Sequence, residues 1–214
     1  MTKCFMREVM PQMRMTSPGK NPRRMTGVAR KKQIVAVTEA IVAEYGVQGA
    51  TTARIADAAG ISEKTLYSHF ASRRDILIAA MDAVFDRSRA IFLCRTETNA
   101  LDHLRAAARL HRSAEQEFVY PLYEFFAAPP QAGLRRELRS RHATSVKLLV
   151  DIVEEGKSQG VIRADVDSEQ TAWEYLGVYW AEDVAYMLGF DEFASNGWSA
   201  MMLERLLRDI SSQS

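Results

Sequence analysis

The stretch from Thr51 to Phe70 constrains the fold of this chain more than any other part of its 214 residues. It reads TTARIADAAGISEKTLYSHF, which predicts two short helices joined by a tight turn at Gly60. Glycine readily adopts the positive φ that such a turn needs, and the small Ala56 lets the two helices cross closely. Three apolar side chains are expected to face inward and to fix the angle between the helices, namely Ile55, Ile61 and Leu66. This arrangement can seat the second helix in the major groove of DNA.

The second of these helices, predicted over Glu63–Phe70, is rich in hydrogen-bonding side chains. Lys64 and Thr65 can reach base edges, because lysine donates to guanine and the threonine methyl group contacts thymine. The other polar and basic side chains nearby are suited to hydrogen bonds with the phosphates of the DNA backbone. Tyr67 has an alternative role as a cap on the small domain's core, and the whole pattern also occurs at ordinary helical corners. The predicted DNA-binding residues are Thr52, Ser62, Lys64, Thr65, Tyr67, Ser68, His69 and Arg73.

The charge of the chain is concentrated at its N-terminal end. Residues 1–75 carry 13 Lys and Arg against 6 Asp and Glu, whereas the net charge of the whole chain is only +1. Because the phosphates of nucleic acid attract positive surface, residues 1–75 are expected to face DNA. A basic tail on an otherwise neutral protein would explain the charge equally well. Residues 1–28 are rich in proline and glycine and are predicted to be a disordered basic arm.

Apolar residues at spacings of three and four continue along the rest of the chain and predict helices, while no segment alternates as a strand does. We therefore predict an all-α fold of about nine helices. Residues 29–75 are expected to form a three-helix helix-turn-helix DNA-binding domain, and residues 76–214 a helical effector-binding and dimerisation domain. Within the second domain we predict separate helices at 99–113 and 118–127, and one last helix at 191–210.

These residues resemble the TetR (tetracycline-repressor-like) family of bacterial regulators from about Lys32 to Leu77. The run TLYSHF at 65–70, at its distance from Gly60, carries most of the resemblance. It implies that Thr52, Tyr67 and His69 contact phosphates and that the residues at 62, 64 and 65 face bases. Lys64 occupies a position where many members carry glycine or proline. Arg73 replaces a lysine common in the family and preserves its positive charge.

Two apolar stripes near the C-terminus are candidates for a dimer interface. A single short helix reads few base pairs, so a two-fold dimer on a palindrome would double the recognised site. Intramolecular core is the other reading of both stripes, but the resemblance implies dimerisation through the final two helices. The predicted interface residues are Trp173, Trp180, Val184, Trp198, Met202 and Leu206.

The middle of the chain carries many aromatic residues and is the expected site of a small-molecule effector. A mostly apolar cavity with a few polar anchors is the usual form of such a site, although each of these residues singly is more often plain core. The helix predicted from Arg73 to Cys94 would couple effector binding to the DNA-binding domain. The residues predicted to bind the ligand are Phe92, Phe118, Phe126 and Trp180.

Several functional classes find no support in the sequence. It contains no nucleophile elbow, phosphate-binding loop or dinucleotide fingerprint, and its histidines show no metal-ligand spacing, so we predict no enzyme activity, no cofactor and no metal. Its two cysteines, Cys4 and Cys94, fit a reducing compartment, and no apolar run is long enough to span a membrane.

The sequence predicts a cytoplasmic homodimeric repressor that binds double-stranded DNA at a palindromic operator and is released by a small molecule. The alternative is an activator or architectural protein without small-molecule control.

Overall fold

The computed structural model describes residues 25–95 and 97–212, without the side chains of residues 112–118 and 194. Within this part of the chain nine α-helices and one 3₁₀ helix are formed: α1 (Gly27–Gly49), α2 (Thr52–Ala58), α3 (Glu63–His69), α4 (Arg73–Leu93), α5 (Ala100–Phe126), the 3₁₀ helix (Pro130–Ala132), α6 (Arg135–Ser158), α7 (Ser168–Met187), α8 (Asp191–Ser195) and α9 (Trp198–Ile210). An isolated bridge joins Ile162 to Ser211. The predicted all-α fold is confirmed, whereas most of the predicted N-terminal arm lies outside the described residues.

Two predicted helix boundaries are wrong. The helices expected at 99–113 and 118–127 are one continuous helix, α5, because residues 114–117 contain neither glycine nor proline to end it. The helix expected at 191–210 is instead two helices, α8 and α9. Gly197 separates them in the left-handed conformation (φ 70°), which ends one helix and starts the next in a new direction. The dipeptide Asn196-Gly197 is the turn signal that marks this break in the sequence.

The described residues 25–87 and 120–138 form one compact unit, here called unit 1. Its N-terminal part packs α1, α2 and α3 around buried apolar side chains, including Ile34, Val42, Ile55 and Leu66. Its second segment contributes the end of α5 and the start of α6. Arg74 on α4 ties the two segments of unit 1 together, because its guanidinium donates to the Gly133 carbonyl at 3.2 Å and pairs with Glu137 at 2.8 Å.

The described residues 88–119 and 139–212 form the second compact unit, unit 2. Helices α7, α8 and α9 pack against one another within it, and its core contains Leu104, Ile152, Tyr175 and Leu207. Asp167 begins α7, since its carboxylate accepts hydrogen bonds from two backbone N–H groups of the first turn at 2.9 Å. In the described part of the chain, no helix combines the length and the apolar character that crossing a lipid bilayer requires.

Candidate DNA-binding, effector and interface sites

The helix α3 is held in place by its apolar underside and presents polar side chains outward. Leu66 is fully buried, and the Ser62 hydroxyl caps the helix by accepting from the Thr65 N–H at 3.1 Å. Lys64 and Ser68 are exposed, and Tyr67 is 48% exposed. The side chains of α3 that were predicted to face DNA are thus open to solvent. The alternative role of Tyr67 as a cap on the core does not account for its exposure.

The turn before α3 has the geometry that the sequence predicted. Gly60 adopts φ 65°, and the Ile61 N–H donates back to the Ala56 carbonyl at 2.9 Å, which closes the end of α2. Helix α2 begins at Thr52, while the neighbouring Thr51 provides the cap by accepting from the Arg54 N–H at 3.2 Å. Thr52 is therefore placed where backbone N–H groups have no partner within the helix, a position suited to a phosphate.

Arg73 forms hydrogen bonds within the protein that the sequence did not predict. Its guanidinium donates to the carbonyl of Ala50 at 2.7 Å and to that of Val47, where α1 ends. This side chain fixes the start of α4 against the end of α1, and the phosphate contact expected of it stays a prediction. His69 and Thr65, two other predicted DNA-binding residues, are half-buried.

The core of unit 2 holds an unusual cluster of aromatic and polar groups. Phe92 lies 6.0 Å from the Tyr175 ring and 5.8 Å from the Tyr179 ring, and the His111 ring stacks on Tyr179 at 3.9 Å. His111 Nε2 donates to Asp183 Oδ1 at 3.1 Å, with both side chains only 3% exposed. We call these five residues the His–Asp cluster. Ionisable groups removed from water cost free energy to bury, so such a cluster is a candidate binding element.

Hydroxyl groups extend the His–Asp cluster along α5. Tyr175 donates to the Leu104 carbonyl at 2.6 Å, and the Tyr179 hydroxyl lies 2.8 Å from that of Tyr175. His103 Nε2 donates to the Phe92 carbonyl at 2.7 Å, and burial lowers the pKa of His103. The neutral ring that results adds no charge to the core.

The three of the predicted ligand-binding residues whose side chains the structure describes have different ring neighbours. Phe92 belongs to the His–Asp cluster, whereas Trp180 packs 5.2 Å from His142 and 6.0 Å from Trp173. Phe126 lies in unit 1, where its ring neighbours include Phe85 at 6.5 Å and Tyr123 at 5.3 Å. The Phe118 side chain is outside the described residues.

The predicted interface residues are largely open to solvent. Trp173, Val184, Trp198 and Met202 are each 40–46% exposed, and Trp180 and Leu206 are half-buried. A groove of about 690 Å³ lies beside α8 and α9 and is lined in part by Phe193, Trp198, Met201 and Met202. Leu176 and Tyr179, which lie on the same helix as Trp173, are instead buried in the core of unit 2.

The helix-turn-helix region is similar to one family of known proteins. Residues 34–80 match the family model described as bacterial regulatory proteins of the tetR family, which covers α2, α3 and the flanking parts of α1 and α4. Within these residues the chain is similar to the tetR family. It is also 28% identical over 149 residues to the HTH-type transcriptional repressor KstR2 of Mycobacterium tuberculosis, covering 65% of this chain and 72% of that protein. Its relatives are thus tetR-family repressors rather than enzymes.

Two solved structures of DNA-binding proteins share the fold beyond residues 34–80. FadR of Bacillus subtilis in complex with stearoyl-CoA superposes with a TM-score of 0.66 at 18% identity, covering 82% of this chain and 97% of FadR. AibR in complex with isovaleryl coenzyme A and operator DNA gives a TM-score of 0.56 at 23% identity, covering 70% and 83%. At these identities the likeness establishes the fold.

The sequence did not single out several groups that the structure places close to the candidate site residues. Arg54 on α2 is exposed and lies 4.3 Å over the half-exposed ring of Tyr45, beside Thr52. Asp183 was not named because it reads as one acid among the charges of α7. Its spacing of eight residues from Tyr175 and four from Tyr179 places all three on one helical face, which was the available signal.

Proposed function

We propose that this chain is a repressor that binds a palindromic operator as a homodimer and leaves it when an acyl thioester of coenzyme A occupies unit 2. The observation that carries the proposal is the outward polar face of α3, fixed by the buried Leu66 and left open at Lys64 and Tyr67. The major groove of B-DNA admits one α-helix and displays a distinct donor and acceptor pattern for each base pair. We assign operator binding to residues 29–75, and effector binding and dimerisation to residues 76–214, in a protein acting in the cytoplasm.

The side chains of α3 divide into two groups by what they can contact. Lys64 and Thr65 lie in its first turn and would read base edges, with Ser62 and Ser68 beside them. Thr52, Tyr67, His69 and Arg73 would contact phosphates and set the register of the helix on the duplex. Arg54 is a further cation on α2 for the same backbone.

The effector class is inferred from two similar regulators and from the chemistry of unit 2. FadR and AibR share this fold and were solved with acyl thioesters of coenzyme A. The aromatic layer of the His–Asp cluster suits an acyl chain, and His111 and the hydroxyl of Tyr179 suit a thioester carbonyl. Phe92, Phe118, Phe126 and Trp180 remain the proposed apolar contacts along that chain.

Coupling between effector and operator would run through helices shared by the two units. Helix α4 belongs to unit 1 up to residue 87 and to unit 2 beyond it, and α5 passes from unit 2 to unit 1 at residue 120. Within unit 1, Arg74 locks α4 to the start of α6 through Gly133 and Glu137. An effector that prefers one arrangement of these helices shifts the population toward it, and a coupling of about 1–3 kcal/mol changes operator affinity by several-fold to over a hundred-fold.

The proposal is tested by selecting bound duplexes from a random DNA pool and titrating the best one by fluorescence anisotropy. We expect a palindromic site, and a loss of affinity of about tenfold or more when an acyl-CoA is added at saturation. Free coenzyme A and the matching free fatty acids are the controls for the two halves of the ligand. Selection of no palindrome would refute operator binding, and an affinity unchanged across short, branched and long acyl-CoA thioesters would refute the effector class.

A further inference from the structure

A polar notch of about 400 Å³ lies in unit 1 beside the start of α2. One of its walls is the turn between α1 and α2, which includes Thr52. The other wall is part of residues 127–134, the connector between α5 and α6, and includes Gln131. The notch therefore places a segment from outside the helix-turn-helix next to a residue proposed to contact operator phosphate.

The charge of the notch suits a polyanion. Arg73 is the one charged residue among those that line it, and none of them is acidic. The connector and its flanks have the same character, because residues 125–136 contain two arginines and no acid. Arg135 is exposed and forms no ion pair with another residue in the described part of the chain. The phosphate backbone of DNA is the polyanion that the adjoining helices are proposed to bind.

Three polar side chains of the notch are available for new hydrogen bonds. Among the described residues, no side-chain hydrogen bond partner occurs for Gln48, Thr52 or Gln131, and both glutamines are exposed. Their neighbours are used by the fold, since the Thr51 hydroxyl accepts from the first turn of α2 and the Arg73 guanidinium donates to backbone carbonyls. The amide nitrogen of a glutamine supplies two donors, which is what a phosphate oxygen requires.

The connector is held in position by contacts within unit 1. Two nitrogens of the Arg74 guanidinium donate to the Gly133 carbonyl, each at 3.2 Å, and the same group pairs with Glu137 at 2.8 Å. Leu134 anchors the connector from below, because its side chain is buried. A segment fixed in this way loses little conformational freedom when one of its side chains meets DNA, so a contact from Gln131 costs little entropy.

We infer that Gln131 donates a hydrogen bond to the operator phosphate that Thr52 contacts. The connector then forms a second surface for the DNA backbone beside the helix-turn-helix. Because a phosphate contact carries no base information, Gln131 strengthens binding to every duplex and does not select the sequence. This inference rests on the operator binding of the proposed function and adds to it a contact from outside residues 29–75.

The test is the affinity of the full chain for the selected operator and for a mismatched duplex, measured by fluorescence anisotropy over a series of salt concentrations. The variants are Gln131→Met, which removes the amide, and Gln131→Lys and Gln131→Glu, which add opposite charges. Thr144→Lys and Thr144→Glu are the matched controls, because Thr144 is an exposed residue of α6 in unit 2. Far-UV circular dichroism reports whether each variant keeps its helices.

We expect Gln131→Met to weaken binding to both duplexes alike by about tenfold, and Gln131→Glu to weaken it further. Gln131→Lys should tighten binding and steepen the slope of log affinity against log salt by about 0.9 for each subunit bound, which a purely structural role would not do. Affinities within about twofold of wild type for all three variants, or changes reproduced by the same charges at Thr144, would overturn this contact while leaving operator binding intact. A wild-type chain that binds no selected duplex would overturn both.

Discussion

The buried pair of His111 and Asp183 gives a prediction whose magnitude follows from the structure. Both side chains are 3% exposed, and their hydrogen bond of 3.1 Å joins α5 to α7 across the core of unit 2. His111→Phe removes one hydrogen-bond partner of a buried carboxylate and is expected to lower the free energy of unfolding by about 3–5 kcal/mol. Asp183→Leu leaves a buried imidazole without that acceptor, at a cost of about 1–3 kcal/mol.

The double variant separates this interaction from simple loss of packing. Phenylalanine and leucine together fill much of the same volume without a buried polar group, so the double variant should lose less stability than the two single losses combined. The expected coupling is about 1–3 kcal/mol. A parallel cycle on Lys147 and Asp151, an exposed pair one turn apart at 2.8 Å, should give only about 0.3–0.5 kcal/mol.

The assay is urea unfolding followed by circular dichroism, at one fixed protein concentration because a dimer gains stability with concentration. Additive effects of His111→Phe and Asp183→Leu would refute the reasoning, since they would mean that the two side chains contribute independently. A coupling as small as that of the surface pair would refute it as well.

Three further outcomes are expected. Lys64→Ala should reduce operator affinity by about 1–3 kcal/mol and relax the preference at one base pair, whereas Tyr67→Phe should weaken binding to all duplexes alike; anisotropy on matched and mismatched sites distinguishes the two. Gly60→Ala forces a side chain into φ 65° and should lower the free energy of unfolding by about 1–2 kcal/mol, measured by urea denaturation; a neutral result would mean that the turn relaxes. Hydrogen bonds from Arg74 and Arg136 hold the pKa of Glu137 at about 2, below its ordinary 4.5, so their stabilisation should be complete above pH 4.5 and lost as the pH falls toward 2. Glu137→Gln should flatten that part of the stability profile, and an unchanged acid limb would contradict the assignment.

The helix-turn-helix was predictable because its signals are local. Gly60 sets the turn, Ser62 caps α3 through its own first turn, and Leu66 follows the spacing of a buried helical face. Each of these effects acts within a few residues, so the sequence alone indicates them. The same holds for Asp167 at the start of α7.

The proposed effector and interface sites were less predictable because they depend on contacts between distant residues. His111 and Asp183 are 72 positions apart, and neither position alone indicates the other. Phe92 and Phe126 are equally aromatic in sequence, yet they have ring partners in different units. The break at Gly197 was a different case, since its turn signal was present but the apolar spacing on either side favoured one helix.

The central claim is that α3 reads an operator from the major groove as one of two symmetry-related helices. The most direct measurement is a footprint of the selected operator, with wild type beside Lys64→Ala. The account predicts two protected major-groove segments about 10 base pairs apart on one face of the duplex, with guanine contacts that disappear in Lys64→Ala. A single protected segment, or a footprint identical in the two proteins, would contradict it.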